Sequence, residues 1–193
     1  MQMPKTSVSR SQREAANGHL AAAILLTGLP AAGKSTLAQA LHAELFELGL
    51  QSIVLDGDVL RSGMNADLGF SEAERRENIR RTSELASLLV SSGNIVIMAL
   101  IAPFADQRDL FALRLGSDYH EVWCSASLDI CEQRDPKGHY ARARRGELLA
   151  FTGVSASYEV PRQPTLIVDT GQFPIEDCLG LLLAWLRTCE III

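Results

Sequence analysis

Lysine is nearly missing from this chain. Its 193 residues hold three, Lys5, Lys34 and Lys137, so beyond the N-terminal tail only two ammonium groups are available to any anion. With a formal net charge of −5 there is no broad positive field, which argues against a general nucleic-acid surface or an anionic-membrane surface. The same scarcity excludes the Asn/Thr-Lys-x-Asp element with which guanine-nucleotide switches read their base, because neither Lys34 nor Lys137 is followed two residues on by Asp. Cysteines are also few. Cys124, Cys131, Cys178 and Cys189 form no Cys-x-x-Cys pair and no zinc spacing with histidine. Cys124 in a strand-like run, and Cys131 and Cys178 in helix-like runs, read as buried free thiols. No apolar run approaches the roughly 18 residues that span a bilayer, and no signal peptide is visible. A reduced, cytoplasmic protein with neither nucleic acid nor membrane as partner is expected.

Against that background one stretch stands out, Gly28-Leu29-Pro30-Ala31-Ala32-Gly33-Lys34-Ser35-Thr36. It follows the apolar run at 21–26 and precedes an amphipathic pattern carried by Leu37, Leu41, Leu45 and Leu48. The pattern G-x-x-x-x-G-K-S-T between a strand and a helix is a phosphate-binding loop. Its glycines let successive backbone N–H groups turn inward onto phosphate oxygens, and the helix that follows adds the positive end of its dipole. Lys34 then reaches the outer phosphates of a nucleoside triphosphate, and the Ser35 hydroxyl can hold Mg²⁺.

The remaining chain alternates strand and helix. Strands are expected at about 22–27, 52–55, 95–101, 119–124 and 165–168. Helices are expected at about 34–48, 71–92 from a Ser71-Glu-Ala-Glu74 capping box, 106–115, 128–133 and 175–187. Apolar strands alternating with helices predict an α/β fold, a five-stranded parallel sheet with helices on both faces, and ligands at the carboxyl ends of its strands. Residues 1–18 are polar and read either as a transit-peptide mimic or as a mobile N-terminal arm, with a single domain over 19–193. A polar segment after strand two and a basic stretch from Arg134 to Arg162 are expected as loop and lid. The final Ile191-Ile-Ile193 has no evident role.

Strand two ends in Asp56-Gly57-Asp58. Beside a triphosphate such carboxylates can hold Mg²⁺ or orient an attacking hydroxyl as a base. Strand three supplies no acid, which directs attention to Asp56 and Asp58. In the helix from Ser71, Glu72–Arg76 and Glu77–Arg81 are spaced as i,i+4 pairs. Arg75 and Asn78 share a face outside that pairing. With Arg61 and Phe70 they can grip an anionic, aromatic ligand, since a planar guanidinium matches phosphate or sulfate oxygens. The cluster Arg134 to Arg145, with Lys137 between Pro136 and Gly138, suits a lid that closes on phosphates. Phe151 can stack on a base.

These stretches together resemble the adenylylsulfate kinase (APS kinase) family of P-loop kinases. The similarity lies in the phosphate loop, in Leu55-Asp-Gly-Asp58, in the Asp67-Leu-Gly-Phe-Ser to Glu77-Asn-Ile-Arg-Arg81 block, in Cys131-Glu-Gln-Arg-Asp-Pro-Lys-Gly138 and in Phe151-Thr-Gly153, with Val8 to His19 similar to that family's N-terminal segment. The resemblance implies phosphorylation of the 3′-hydroxyl of adenosine 5′-phosphosulfate by MgATP, giving PAPS and ADP in sulfate activation. It assigns Gly28 to Thr36 and Arg134 to ATP, and Ser35 with Asp56 to the metal. Lys34, Asp58 and Lys137 fall to catalysis. Asp58, Arg61, Phe70, Arg75, Asn78, Ile101, Lys137 and Phe151 fall to the acceptor, with Phe70 and Phe151 around its adenine. It also implies a homodimer and a sulfurylase as a conceivable partner.

Several positions depart from the family pattern. Ile101-Ala102-Pro103 stands where Ile-Ser-Pro is usual, so no phosphoserine can form there and transfer is expected to be direct and in line. Val59, Ser62, Ala105 and Ser155-Ala156 also differ. Two alternatives stand beside this function. One is a related kinase for another nucleotide or a small alcohol. The other is an inactive regulatory nucleotide-binding domain.

Overall fold

The computed structural model describes residues 8–193. Its elements in chain order are α1 (Arg10–Asn17), β1 (Ala22–Thr27), α2 (Lys34–Glu47), β2 (Ser52–Asp56), α3 (Gly57–Ser62), α4 (Glu72–Ser91), β3 (Ile95–Ala99), α5 (Ala105–Leu115), β4 (Tyr119–Cys124), α6 (Leu128–Arg134), α7 (His139–Arg144), β5 (Leu166–Val168) and α8 (Ile175–Thr188). All pairings in the five-stranded sheet are parallel, in the order β2-β3-β1-β4-β5. The expected α/β architecture is therefore present.

The strand period of two explains the layering. Ala22, Ile24 and Leu26 of β1 face a cluster with Leu37, Leu41 and Leu45 of α2 and Leu182 and Leu186 of α8. Ala23 and Leu25 face the opposite cluster, with Ile79, Ala86 and Val90 of α4 and Phe111 and Leu115 of α5. Every residue of β1 and β3 is buried, as a strand covered on both faces must be. With β1 central and its successor two places away, the chain leaves the sheet in opposite directions from its middle strands. The loop after β1 opens at that divide. Among the described residues no helix is long and apolar enough to cross a membrane.

Several expectations change. The N-terminal segment is not a loose arm over its described part. Ser9 accepts the Gln12 N–H in a capping box, and Gly18 ends the eight-residue helix in the left-handed conformation; residues 1–7, with Lys5, lie outside the described residues. α3 replaces the expected loop after β2, because Asp56 caps it by accepting the Asp58 N–H. Within the basic segment, α7 forms where Asp135 accepts the N–H groups of Tyr140 and Ala141. Arg76 pairs with Asp106 of α5 rather than with Glu72, whereas the Glu77–Arg81 pair forms as its spacing predicts. Strand three also ends at Ala99 rather than Ile101. Two of the three C-terminal isoleucines acquire a role, since Ile191 and Ile192 are buried in the α2–α8 cluster and the Ile191 carbonyl accepts the Leu20 N–H, while Ile193 is exposed.

α1 is clipped to the body at both ends. Arg10 donates to both carboxylate oxygens of Asp118, at 2.6 and 2.8 Å, and Asn17 donates to the Gly93 carbonyl at 2.9 Å. Burial alone would raise the Glu14 pKa. The Ala21 N–H and the Arg10 guanidinium outweigh it and hold the carboxyl below its ordinary value. A depressed carboxylate contributes stability above its unfolded pKa, and that contribution is lost as pH falls through the folded one. Docking of α1 should therefore persist at neutral pH and weaken below the ordinary carboxylate range. In Asp118→Asn the α1 amides should exchange with deuterium faster already at pH 7, with core-strand amides unchanged.

Candidate active site

The turn from β1 into α2 is tight because the chain passes close to the end of β4. Gly28 adopts φ +156°, and a Cβ there would lie 2.6 Å from the Cys124 carbonyl oxygen. Ala31 and Gly33 take φ +61° and +84°, in the left-handed region that non-glycine residues enter only at a cost. Gly33 stands at the N-cap of α2 with no side-chain cap, and the first turn of α2, which includes Lys34, Ser35 and Thr36, holds no acid. The helix end is thus left with unsatisfied N–H groups and an uncompensated positive dipole, the elements of an anion site. Lys34 is buried and its ammonium donates to the carbonyls of Gly28 (2.9 Å) and Leu29 (2.7 Å). Burial lowers its pKa to about 8.

β2 delivers two carboxylates to the same place. Asp56 Oδ2 accepts the Ser35 hydroxyl at 2.5 Å while Oδ1 caps α3. Two hard oxygens this close at the mouth of the loop are a donor set that suits Mg²⁺, the other positions being left to water and phosphate. Asp58, in the first turn of α3, is ion-paired with Lys137, which arrives from the segment between α6 and α7. The two residues are 79 apart in sequence, and the pair joins the segment between α6 and α7 to the end of β2.

Arg61 and Arg75 converge on Phe70. The Arg61 guanidinium carbon lies 4.5 Å from the ring centroid and that of Arg75 5.6 Å, within cation–π range. Arg61 donates to the Leu68 and Gly69 carbonyls. Arg75 donates to the Phe70 and Ala150 carbonyls, both at 2.9 Å. It thereby ties Phe70 to the residue preceding Phe151. Burial pushes the pKa of both guanidiniums down. Phe70 itself remains 61% exposed. Phe151 packs edge-on to Tyr140, with ring centroids 5.0 Å apart, and its N–H donates to Ser155 Oγ. Asn78 is buried and accepts from Asn65. Arg134 lies at the end of α6 and donates to the Thr170 carbonyl at 2.6 Å, on the β5 side of the loop.

Ile101 and Ala102 follow β3. The Ile101 carbonyl accepts the Thr27 hydroxyl at 2.6 Å, and Tyr158 OH lies 3.0 Å from the same hydroxyl. Ala102, at φ +41°, has its carbonyl held by Arg108 Nη1 at 2.9 Å. Arg108 is buried and ion-paired with Glu121 at 2.6 Å. Sequence reasoning missed Thr27, Arg108, Glu121 and Tyr158. The one available signal was an arginine on the inward face of α5, next to Phe111 in period. A cleft of about 600 Å³ opens beside the loop, along Leu29, Leu128 and the segment 153–160.

Because the obstacle at Gly28 is a backbone oxygen of a central strand, Gly28→Ala has no easy relief. Strain of about 1–3 kcal/mol is expected there. A titration with a fluorescent ATP analogue should show binding weakened about tenfold or more, with near-native far-UV circular dichroism.

The comparisons with known proteins agree on one family. Residues 20–169 match the family model described as adenylylsulphate kinase. The adenylyl-sulfate kinase of Bacillus velezensis is 46% identical over 184 residues, covering 95% of this chain and 93% of its own. That of Prochlorococcus marinus is 48% identical over 176 residues, covering 91% and 88%. The structure of the Mycobacterium tuberculosis APS kinase in complex with AMPPNP and APS superimposes with a TM-score of 0.83 at 41% identity, covering 88% of this chain and 99% of that one. With a phosphate loop at the centre of a parallel sheet and these relatives along nearly its whole length, the chain belongs to the adenylylsulfate kinase family.

Proposed function

We propose that the chain transfers the γ-phosphoryl group of ATP to the 3′-hydroxyl of adenosine 5′-phosphosulfate, giving PAPS and ADP in sulfate activation. The observation that carries this reading is the Asp58–Lys137 pair following β2, whose Asp56 accepts the Ser35 hydroxyl of the phosphate loop, together with an exposed aromatic ring flanked by two guanidiniums.

In this reading ATP lays its phosphates in the loop at Gly28 to Thr36, and Lys34 leaves the Gly28 and Leu29 carbonyls for the outer phosphates. Ser35 and Asp56 would hold Mg²⁺, which would supply positive charge to offset that of the triphosphate. Arg134 lies against the ATP base. Phe70 and Phe151 take the acceptor adenine between them, with Ile101 nearby, and Arg61, Arg75 and Asn78 hold its ribose and phosphosulfate end. Asp58 accepts the proton of the 3′-hydroxyl as that oxygen bonds to the γ-phosphorus. The bond from phosphorus to the β–γ bridging oxygen breaks, and ADP leaves with the electron pair. As this happens Lys137 exchanges its partner Asp58 for the transferring phosphoryl group. Since phosphoryl transfer requires positioning and charge stabilisation rather than covalent help from the protein, Ala102 is compatible with a direct path. The segment 134–162 serves as the lid of a single domain over 19–193. A cytoplasmic homodimer, supplied with its acceptor by a sulfurylase, belongs to the same reading.

An ADP-release assay tests it with APS beside AMP, other nucleotides and simple alcohols. APS should be the preferred acceptor, and activity confined to one of the others overturns the proposal. Asp58→Asn should lower turnover on the order of 10²–10⁴-fold, and Lys34→Ala should abolish it. If Asp56→Asn destroys activity while Asp58→Asn spares it, the two carboxylates have the opposite roles. Phe151→Ala should raise the KM for APS, and an unchanged KM rejects its stacking role.

A further inference from the structure

The phosphate loop is held from behind by two hydroxyl groups. In a trans peptide unit the C=O of one residue and the N–H of the next point in opposite directions. A donor that captures a loop carbonyl from outside therefore turns the following N–H toward the inside. Two loop carbonyls have such donors. Pro30 O accepts the Tyr140 hydroxyl at 3.0 Å, and Ala32 O accepts the Thr170 hydroxyl at 2.7 Å. The N–H groups aimed by these contacts are those of Ala31 and Gly33, and neither donates to a backbone carbonyl among the described residues. Ala31 and Gly33 are also the two loop residues at φ +61° and +84°. Conformations of this kind persist only where the surroundings over-determine them.

Both donors are themselves fixed. Tyr140 is 2% and Thr170 6% exposed. The Tyr140 N–H is held by Asp135, and its ring lies against Phe151. The Thr170 N–H is held by the Val168 carbonyl, and its own carbonyl takes the Arg134 guanidinium. The anchors reach the loop from opposite parts of the chain, one from the segment that carries Lys137 and the other from the end of β5.

We infer that Tyr140 and Thr170 are positioning residues for the triphosphate: through the outward carbonyls of Pro30 and Ala32 they keep the Ala31 and Gly33 N–H groups aimed into the loop. Both side chains meet the loop at its carbonyls. Tyr140 also couples the lid to the donor, because its helix begins two residues after Lys137. The inference rests on the proposed function only in taking the loop as the seat of ATP, and it is independent of which acceptor is used.

The test compares Tyr140→Phe, Thr170→Val and Thr170→Ser with the unaltered full chain. Binding of a non-hydrolysable ATP analogue with MgCl₂ is titrated directly, turnover is measured while ATP and APS are varied separately, and melting is recorded without nucleotide. Loss of one such hydrogen bond should weaken analogue binding and raise the KM for ATP about 3- to 10-fold. The KM for APS should stay within about twofold by the same reasoning, and Thr170→Ser should restore ATP binding. Unchanged analogue affinity in both hydroxyl-deleted variants overturns the inference. So does an equal rise in both KM values, or a Thr170→Ser variant as weak as Thr170→Val. Failure of the unaltered chain to phosphorylate APS while it still binds the analogue removes the proposed acceptor and leaves this inference standing.

Discussion

A loop that presents its N–H groups to a phosphate must present its carbonyls to the protein, and those carbonyls need partners. Much of the architecture around Gly28 to Thr36 follows from that constraint. The Lys34 ammonium occupies the Gly28 and Leu29 carbonyls, the Tyr140 hydroxyl that of Pro30, and the Thr170 hydroxyl that of Ala32. The central position of β1 makes these contacts possible. It brings the end of β4 and the segment after β5 to one side of the loop, while β2 supplies Asp56 at the first turn of α2.

With two lysines in the body of the chain, positive charge near the site is mostly arginine, and little of it is idle. Arg61 and Arg75 bind backbone carbonyls and flank Phe70, Arg108 holds the turn at Ala102, and Arg134 holds Thr170. A guanidinium can do this because its planar fork serves several acceptors while its face lies on a ring. The candidate acceptor seat is accordingly built before any ligand arrives. Lys137 is different. It is exposed and held by a single exposed carboxylate, the kind of contact that is exchanged at little cost.

Elements with a strong period were legible from the residues alone. The buried run at β1, α2 with Leu37, Leu41 and Leu45 inward, and the capping box at Ser71 lie where the patterns place them, and β3 begins there but stops at Ala99. Of the short helices, α6 was expected at 128–133 and forms there, whereas α1, α3 and α7, of eight, six and six residues, were not expected. Each depends on one local side-chain contact, from Ser9, Asp56 and Asp135 respectively. The Arg76–Asp106 pair shows the same limit for charge. Spacing within a helix offered Glu72 as partner, and the neighbouring helix supplied a better-placed carboxylate.

By itself the sequence determined the class of fold, the phosphate loop and the family resemblance, because these rest on local period and on motifs contiguous in the chain. It also brought forward Asp56, Asp58, Phe70, Arg75 and Lys137 as residues of interest. Only the tertiary structure decided how they meet. It paired Asp58 with Lys137, set Arg61 and Arg75 about Phe70, and placed Tyr140 and Thr170 behind the loop. Hydrogen bonds and ion pairs are satisfied by whichever group stands within about 3 Å. For residues separated by 79 to 138 positions, that proximity is created by the order of the strands and by nothing in the local sequence.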